Sequence, residues 1–407
     1  MTQHLDFSTL VSACTPGGGS VLTLRTELTP AAGQEAGIAP ARYVRGTVAT
    51  YAFETRFASD PETGQAAPVK AVVIDSKGSS LNRVEEQLSW AIRDGHPLIS
   101  QTPRIRVTYP GLEPVTCLDL PHRAFDGHIR AGTINGKPAT EHELYRAARD
   151  CTQANARALL ELSPIGLVMG VWDSTRRSHQ VRVRSALVGE TIGILADQGV
   201  DSTRIAPRGA ARRDEIAPSV RLAGQEMTRL LDAQEAELSP GNVNEIRKAI
   251  VEAGKGTTSA AALGLGAIPP SLNGLGFVSC RRILRTHVLS FSALRQLRFG
   301  LGVNGDATAR ALLAALALAG LVRSYAELNF RANCDLVEAG ESHCELDARY
   351  GKRIALALPT IDEADSLLER AIDAVRGLGV RWEGQVLEVE GDPIIAGGIT
   401  SDSEKDE

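Results

Sequence analysis

Apolar and polar residues alternate along 20–28, which is the pattern of a strand with one buried face. Residues 43–57 are also rich in β-favouring side chains, and 69–75 form a continuous apolar run that predicts a buried strand. The next segment, 79–93, has apolar residues at 81, 84, 88 and 92, the spacing of one helical face. The pattern therefore predicts a strand, a turn and a helix in succession.

Strand-like alternation and helix-like spacing both recur along the rest of the chain. Further β segments are predicted at 103–120, 165–172, 181–194 and 386–390, and helices at 140–157, 288–299, 306–321 and 361–375. Strands and helices interleaved in this way, with long insertions, predict an α+β fold with a ferredoxin-like sheet.

Two stretches differ from the rest of the chain, one in its periodicity and the other in its charge. Residues 197–240 are polar without apolar spacing and predict an inserted or flexible arm, which we extend to 262 as a thumb-like segment of a single domain spanning 1–407. Residues 335–407 are predicted to be an acidic C-terminal portion of the same domain, with a disordered tail at 401–407.

Composition narrows the class of protein. The longest apolar run, 311–322, is shorter than the roughly 20 residues that span a bilayer. Residues 1–10 lack the basic-then-apolar pattern of a signal peptide, so we expect a cytoplasmic protein. The six cysteines form no CxxC pair. Cys334, His343 and Cys344 offer three metal ligands where tetrahedral zinc takes four, so no metal or other cofactor is predicted.

Net charge is −5, but its distribution is uneven. Residues 100–213 hold 16 basic and 11 acidic side chains, 278–300 hold five arginines and no acid, and 335–407 hold 7 basic and 18 acidic side chains. Because the local potential governs binding, a basic face on an acidic body can still bind phosphate.

Residues 121–130 are the densest cluster of reactive side chains. His122, Asp126 and His128 could ligate a metal or serve as acid and base in RNA cleavage. Arg123 and Arg130 in the same loop disfavour a cation and favour phosphate, which guanidinium groups bind with two hydrogen bonds. We therefore favour phosphate contact as the function of this loop, with a structural loop and a metal or nuclease site as the alternatives.

Two further segments carry arginines. Trp172 ends the apolar run and is assigned to the core in preference to base stacking. After it come Arg176, Arg177, Arg182 and Arg184, with His179 among them, either solvated or lining a backbone-tracking groove. In 273–299, glycines that permit close backbone approach precede Arg281, Arg282, Arg285 and His287, whereas Arg295 and Arg298 follow on the predicted helix.

Two glycine-rich motifs resemble nucleotide sites only superficially. Residues 300–305 fit GxGxxG but follow a predicted helix, whereas a dinucleotide site follows a strand. Residues 253–257 lack the frame of a phosphate loop. Nucleotide hydrolysis is therefore not predicted.

Several segments in order, 75–86, 120–130, 163–174 and the arginine-rich run at 280–299, resemble the Cascade backbone subunit of type I-U (I-G) CRISPR systems, a member of the RAMP superfamily. The resemblance covers about 69–337. It implies a modified RRM-like palm with finger-like insertions and a thumb, and a non-catalytic role.

The resemblance also implies partners and contacts. These are a guide crRNA, a target DNA strand paired through the guide, further copies of the chain, a Cas5/Cas6-like subunit and a large subunit. The residues expected to contact guide RNA are Lys77, Asn82, His122, Arg123, His128, Arg130, Trp172, Arg176, Arg177, Arg281, Arg282 and Arg285. The alternative is an endoribonuclease that uses His122, Asp126 and His128.

Overall fold

The computed structural model describes residues 3–46, 48–59, 64–198, 219–266, 276–330 and 334–396. The chain divides into two compact units. In the larger, the described residues run from 3 to 198 and from 278 to 396; in the smaller, they are 219–266 and 276–277. Both units mix helices and strands, so the α+β class is confirmed at that level.

The larger unit is built on an antiparallel sheet. Within the described residues it has eight strands: β1 (Val21–Pro30), β2 (Phe53–Ser59), β3 (Ala66–Asp75), β4 (Leu187–Leu195), β5 (Cys280–Ser290), β6 (Leu336–Glu338), β7 (His343–Asp347) and β8 (Arg353–Leu356). Their order is β8-β7-β1-β5-β4-β3-β2, and β6 also pairs with β1. The two central strands, β1 and β5, are therefore distant in sequence.

One face of this sheet is covered by helices. The main ones are α1 (Phe7–Cys14), α2 (Lys77–Arg93), α3 (Gly302–Glu327) and α4 (Ile361–Arg376). Helix α2 packs on β4, and α3 contacts α1, α2 and α4. Gly320 allows the close approach of α3 to α2, since a Cβ there would lie 2.8 Å from Val84 and 3.0 Å from Leu88.

Helix α3 is longer than the apolar run predicted. By length and composition it could cross a membrane, but almost all of its apolar stretch is buried inside the protein. This is the pattern of a core helix, which is apolar on all sides because protein surrounds it.

A second sheet of five described strands lies in the same unit. Its order is Val115–Thr116, Arg104–Thr108, Val386–Glu390, Thr133–Ile134 and Lys137–Pro138. The strand Val386–Glu390 matches the prediction, and it pairs in parallel with Arg104–Thr108. Two-residue strands Val171–Trp172 and Arg182–Val183 form a separate hairpin, and Tyr43–Arg45 pairs with Val48–Thr50.

The short helices of the larger unit connect these layers. They are Gly127–Arg130, Glu143–Arg149, Arg157–Leu162, Ile165–Met169, Phe291–Leu294 and Pro393–Ala396, with 3₁₀ turns at Ile99–Gln101, Arg123–Phe125 and Ala139–Glu141.

The smaller unit has its own core. Helices Gly224–Gln234 and Pro240–Ala253 pack around Met227, Leu231 and Ile246, and strand Arg221–Ala223 pairs with Thr257–Ser259. A 3₁₀ turn, Ala261–Leu263, follows. The predicted arm at 197–262 overlaps this unit. Within 197–240, for which no apolar periodicity was seen, residues Gly224–Gln234 form a helix. Residues 199–218 and the tail at 401–407 lie outside the described residues.

Several predicted elements are confirmed, and others differ from the prediction; of the helix predicted at 140–157, the structure has Glu143–Arg149 and the start of Arg157–Leu162. Helices α2, α3 and α4 lie at 79–93, 306–321 and 361–375 as predicted, with slightly different ends. The run at 165–172 is instead helix Ile165–Met169 followed by a two-residue strand, because a fully buried segment carries no periodicity to distinguish the two. Residues 288–290 extend β5, and only Phe291–Leu294 of the predicted helix at 288–299 is α-helical.

A buried polar chain joins the sheet to the helices. On β5, the His287 ring nitrogens lie 2.8 Å from the Ser80 hydroxyl of α2 and 2.9 Å from the Tyr325 hydroxyl of α3. Gly189 on β4 faces His287, and a Cβ there would lie 2.0 Å from the imidazole. Burial, with a smaller contribution from Arg285, lowers the pKa of His287 to about 3. The imidazole is therefore neutral at pH 7.

Acidification is expected to destabilise the larger unit through His287. Since the unfolded histidine takes up a proton below pH 6.5 and the folded one does not, this contribution is lost as pH falls from about 6.5 towards 3. Between pH 7 and pH 5 the loss is about 2 kcal/mol. Urea unfolding of the protein and of His287→Gln, at both pH values, measures it. An equal loss in both proteins would contradict this assignment.

Candidate nucleic-acid interface

The structure brings together two segments that are distant in sequence, the loop at 120–130 and the segment at 163–177, through contacts between residues 45 and 47 positions apart. The Arg123 guanidinium donates to the Gly170 carbonyl at 3.0 Å, and that of Arg130 donates to the Thr175 hydroxyl at 2.7 Å. Arg130 also donates to the Phe125 carbonyl. These contacts hold the loop against the start of the hairpin formed by Val171–Trp172 and Arg182–Val183.

Arg123 has a structural partner in Glu85 of helix α2. Its guanidinium donates to both carboxylate oxygens, with one distance of 2.6 Å, and Glu85 is buried. Burial raises the pKa of Glu85, and the hydrogen bonds from Arg123 oppose that rise. Because Glu85 and Gly170 engage the guanidinium, the predicted phosphate contact of Arg123 gives way to a structural role.

The sequence contained a signal for Glu85 that we did not use. Glu85 follows Val84 and lies between Leu81 and Leu88, so it falls on the apolar face of α2. A carboxylate on such a face requires a buried cation, because an unpaired buried charge costs several kcal/mol. Its partner, 38 residues away, could not be identified from spacing.

The triad of His122, Asp126 and His128 is arranged as a turn. The buried Asp126 carboxylate accepts the backbone N–H groups of His122 at 3.1 Å and His128 at 3.0 Å, capping the short helix Gly127–Arg130. The His128 Nδ1 lies 2.7 Å from the Tyr109 hydroxyl, whereas His122 is exposed. Both oxygens of the aspartate therefore serve the backbone, an arrangement that explains the loop without catalysis.

We call residues 171–184 the arginine hairpin. Trp172 is 49% exposed, so its assignment to the core is wrong. The Arg182 guanidinium lies over the Trp172 ring, 5.0 Å from its centroid. Arg184 donates to the Ser290 hydroxyl at 3.2 Å, and Arg177 is exposed with no ion pair among the described residues. An exposed aromatic ring beside arginines is the chemistry that stacks a base and binds its phosphate.

The hairpin stands beside a cavity of about 550 Å³. Its lining is Asp150, Cys151, Thr152, Gln153, His179, Gln180, Val181 and Arg182. Arg176 borders this region but is engaged with the protein, since it donates to the Arg149 carbonyl at 2.6 Å and pairs with Asp150. Beneath it, Arg149 pairs at 2.8 Å with Asp173, whose side chain is fully buried.

The arginine-rich run at 278–300 does not form one basic surface. Arg282 makes a two-point ion pair with Glu27, at 2.9 Å for each hydrogen bond. Arg285 is buried, pairs with Glu338 at 2.8 Å, and stacks 3.5 Å from the Tyr325 centroid. Alternation along β5 places 282 and 285 on opposite faces of the sheet.

Two further arginines of this run, Arg295 and Arg298, also contact the protein. Arg295 donates to the carbonyls of Ala13 and Gly19, and Arg298 donates to nearby carbonyls. Arg281 and Arg298 are both exposed and without an ion pair among the described residues, but Arg298 is held by the carbonyls to which it donates. As RNA contacts, Arg281 and the partly exposed Arg282 therefore stay predictions, whereas the buried Arg285 is held by protein contacts.

Lys77 and Asn82 lie at the start of α2. Ser76 caps this helix, and both side chains are exposed. Asn82 lines a second cavity, described below, on the side of α2 that faces Leu118–Arg123. The structure thus leaves these two residues available to a ligand without joining them to the arginine hairpin.

The glycine motif at 300–305 leads into helix α3, which begins at Gly302, and the element before it is the short helix Phe291–Leu294 and not a strand, as its context predicted. The Asp306 carboxylate accepts the N–H groups of Phe299 and Leu301. Of the side chains considered as metal ligands, His343 is exposed and Cys344 is buried on alternate faces of β7, so the two point to opposite sides of the strand. Among the described residues no group of three metal-ligating side chains is present.

One comparison with known proteins bears on this interface. The model of the family "CRISPR-associated protein GSU0053" matches residues 22–198, which includes the buried Glu85–Arg123 pair and the arginine hairpin. The match supports a CRISPR-associated protein. No curated protein matches the chain. A CRISPR-associated role accords with the resemblance seen in the sequence.

Removing Arg123 should destabilise the protein, because it leaves Glu85 buried without a cation. We expect Arg123→Ala to lower the free energy of unfolding by about 3–5 kcal/mol. Arg123→Met with Glu85→Gln should recover most of that loss. Chemical denaturation followed by circular dichroism provides the measurement. Arg177→Ala, an exposed control, should change stability by less than about 0.5 kcal/mol; a similar loss in both single variants would refute the structural assignment.

Proposed function

We propose that the chain is the guide-RNA-binding backbone subunit of a type I CRISPR surveillance complex. The observation that carries the proposal is the exposed Trp172 with Arg182 stacked on it, inside the segment that matches a CRISPR-associated family. Trp172 would stack a base, and Arg177 and Arg184 would pair with phosphates. Copies of the chain would polymerise along one crRNA and present it to a target DNA strand.

The strand order supports the finer fold assignment, an RRM-like palm. Taking β1, β4, β5 and β7 as the four strands, with α2 and α3 between them, gives the chain order β-α-β-β-α-β and the spatial order β7-β1-β5-β4. This 4-1-3-2 order is the ferredoxin-like arrangement. Strands β2 and β3 extend it at the β4 edge, and the second sheet and the smaller unit are the insertions.

The open face of this sheet differs from that of a base-stacking RRM. One row across it carries His343, Arg25, Thr286 and Glu190, as the strand register shows, and Glu190 pairs with Arg56. An RRM would carry stacking aromatic residues on its central strands. Since the central strands have none in this row, we assign the stacking function to Trp172 in the hairpin.

The other expected partners follow from the same proposal. A Cas5/Cas6-like subunit and a large subunit would complete the complex, which would assemble in the cytoplasm. In this role the chain holds RNA without cutting it. The segment at 197–262, which overlaps the smaller unit, is our candidate for the thumb that contacts the next copy.

RNA binding should depend on the hairpin. We expect Trp172→Ala to weaken binding of single-stranded RNA by about 1–3 kcal/mol through lost stacking. Arg177→Ala with Arg184→Ala should reduce the slope of log affinity against log salt by about 0.7 for each lost phosphate contact. Fluorescence anisotropy with a labelled oligonucleotide, across salt concentrations, measures both effects. Lys352→Ala, an exposed lysine on another part of the surface, is the control. Unchanged affinity and slope would exclude the hairpin.

The alternative, an endoribonuclease, makes a different prediction. If the chain is a non-catalytic scaffold, precursor RNA stays intact when it is incubated with the natural protein or with the double variant His122→Ala, His128→Ala. Gel electrophoresis of the RNA measures this. RNA cleavage by the protein alone that disappears in the double variant would establish the nuclease. The backbone role of Asp126 favours the scaffold.

A further inference from the structure

A second exposed tryptophan, Trp90, lies in the last turn of helix α2. Trp90 is 41% exposed and lines a cavity of about 560 Å³ between α2 and Leu118–Arg123, which we call the Trp90 cleft. Glu86 lies one helical turn before Trp90 and lines the same cleft. An aromatic ring and a carboxylate four residues apart therefore face the same space.

The ion pairs around the cleft leave one of its carboxylates without a partner among the described residues. Each of its three arginines is paired with a carboxylate: Arg83 with Asp75 at 3.1 Å, Arg93 with Asp119 at 3.2 Å, and Arg123 with Glu85 at 2.6 Å. Glu86 has no ion pair among the described residues. The cleft lining holds three arginines and three carboxylates, Glu85, Glu86 and Asp119. Because Arg83 is neutralised by Asp75 from outside the lining, Glu86 is the carboxylate of the lining left without a cationic partner among the described residues.

The Trp90 ring differs from Trp172 in one respect. Arg182 covers the Trp172 ring, whereas no cation lies over Trp90 among the described residues. A cation over an aromatic face is stabilised by the ring quadrupole, and a nearby carboxylate adds charge attraction. The planar guanidinium can make both contacts together, by stacking on the ring and pairing with two carboxylate oxygens.

We propose that the Trp90 cleft binds an arginine side chain of a partner protein, with the guanidinium stacked on Trp90 and paired with Glu86. A volume of about 560 Å³ also admits the residues that flank the arginine, so the ligand is a short extended segment. The uncompensated carboxylate repels phosphate, which makes nucleic acid a poor ligand here. The proposal does not depend on the RNA site at the arginine hairpin.

The tryptophans themselves provide the test. The chain has three, so ¹⁵N-tryptophan labelling of the full protein yields three indole N–H signals. Trp90→Phe and Trp172→Phe assign two of them, and buried Trp382 serves as the internal reference. The probes are the peptide acetyl-Gly-Ser-Arg-Ser-Gly-amide and the same peptide with citrulline, which keeps the shape of arginine without its charge.

We expect the arginine peptide to shift the Trp90 signal saturably, and the citrulline peptide to bind at least about fivefold more weakly, as loss of an ion pair of about 1 kcal/mol requires. Glu86→Gln should weaken arginine-peptide binding by a similar factor. Glu369→Gln, which removes an exposed acid from α4, is the matched control and should leave binding unchanged. An unshifted Trp382 signal shows that each variant is folded.

Three results would overturn the proposal: no saturable shift at Trp90, equal binding of both peptides, or no effect of Glu86→Gln. An oligouridylate that shifts Trp90 and binds more tightly to Glu86→Gln would make the cleft a nucleic-acid surface instead. Failure of the proposed RNA function has a separate signature, a Trp172 signal that does not respond to RNA.

Discussion

The ion pair between Glu85 and Arg123 organises the surface on which the proposed functions depend. A carboxylate on the core face of α2 must be neutralised, and its partner comes from a loop 38 residues later. Satisfying that charge holds the loop against α2, and the same guanidinium binds Gly170 at the foot of the arginine hairpin. The hairpin and the Trp90 cleft lie on either side of this pair.

The same physical constraint determines which arginines can reach a ligand. Arg285 and Arg310 are buried, and Arg149 neutralises a buried acid, so these guanidinium groups stabilise the fold. A count of basic residues along the chain therefore overstates the positive surface. After internal pairing, Arg177, Arg182 and Arg184 remain together beside Trp172, which is why this hairpin is the proposed RNA contact. In the acid-free run at 278–300, Arg281 is exposed and has no ion pair among the described residues, but it does not lie beside Trp172 in the hairpin.

The two exposed tryptophans illustrate how neighbours decide the chemistry of one side chain. Trp172 lies among arginines, which attract phosphate and leave the ring to stack a base. Trp90 lies beside Glu86 in a cleft whose arginines are already paired, so the local charge favours a cation. A single chain can thus hold a nucleic acid and a protein partner on separate surfaces, because short-range charge determines the ligand at each.

The sequence by itself determined the elements with strong periodicity. The amphipathic α2 and α4 and the strand Val386–Glu390 were predicted because each has one buried face. Only the tertiary structure decided that Ile165–Met169 is a helix, since burial on every side removes periodicity. Likewise, Arg123 and Arg285 resembled phosphate ligands in sequence, yet their partners lie 38 and 53 residues away. Pairing at that range depends on how the chain folds back, and local spacing does not encode it.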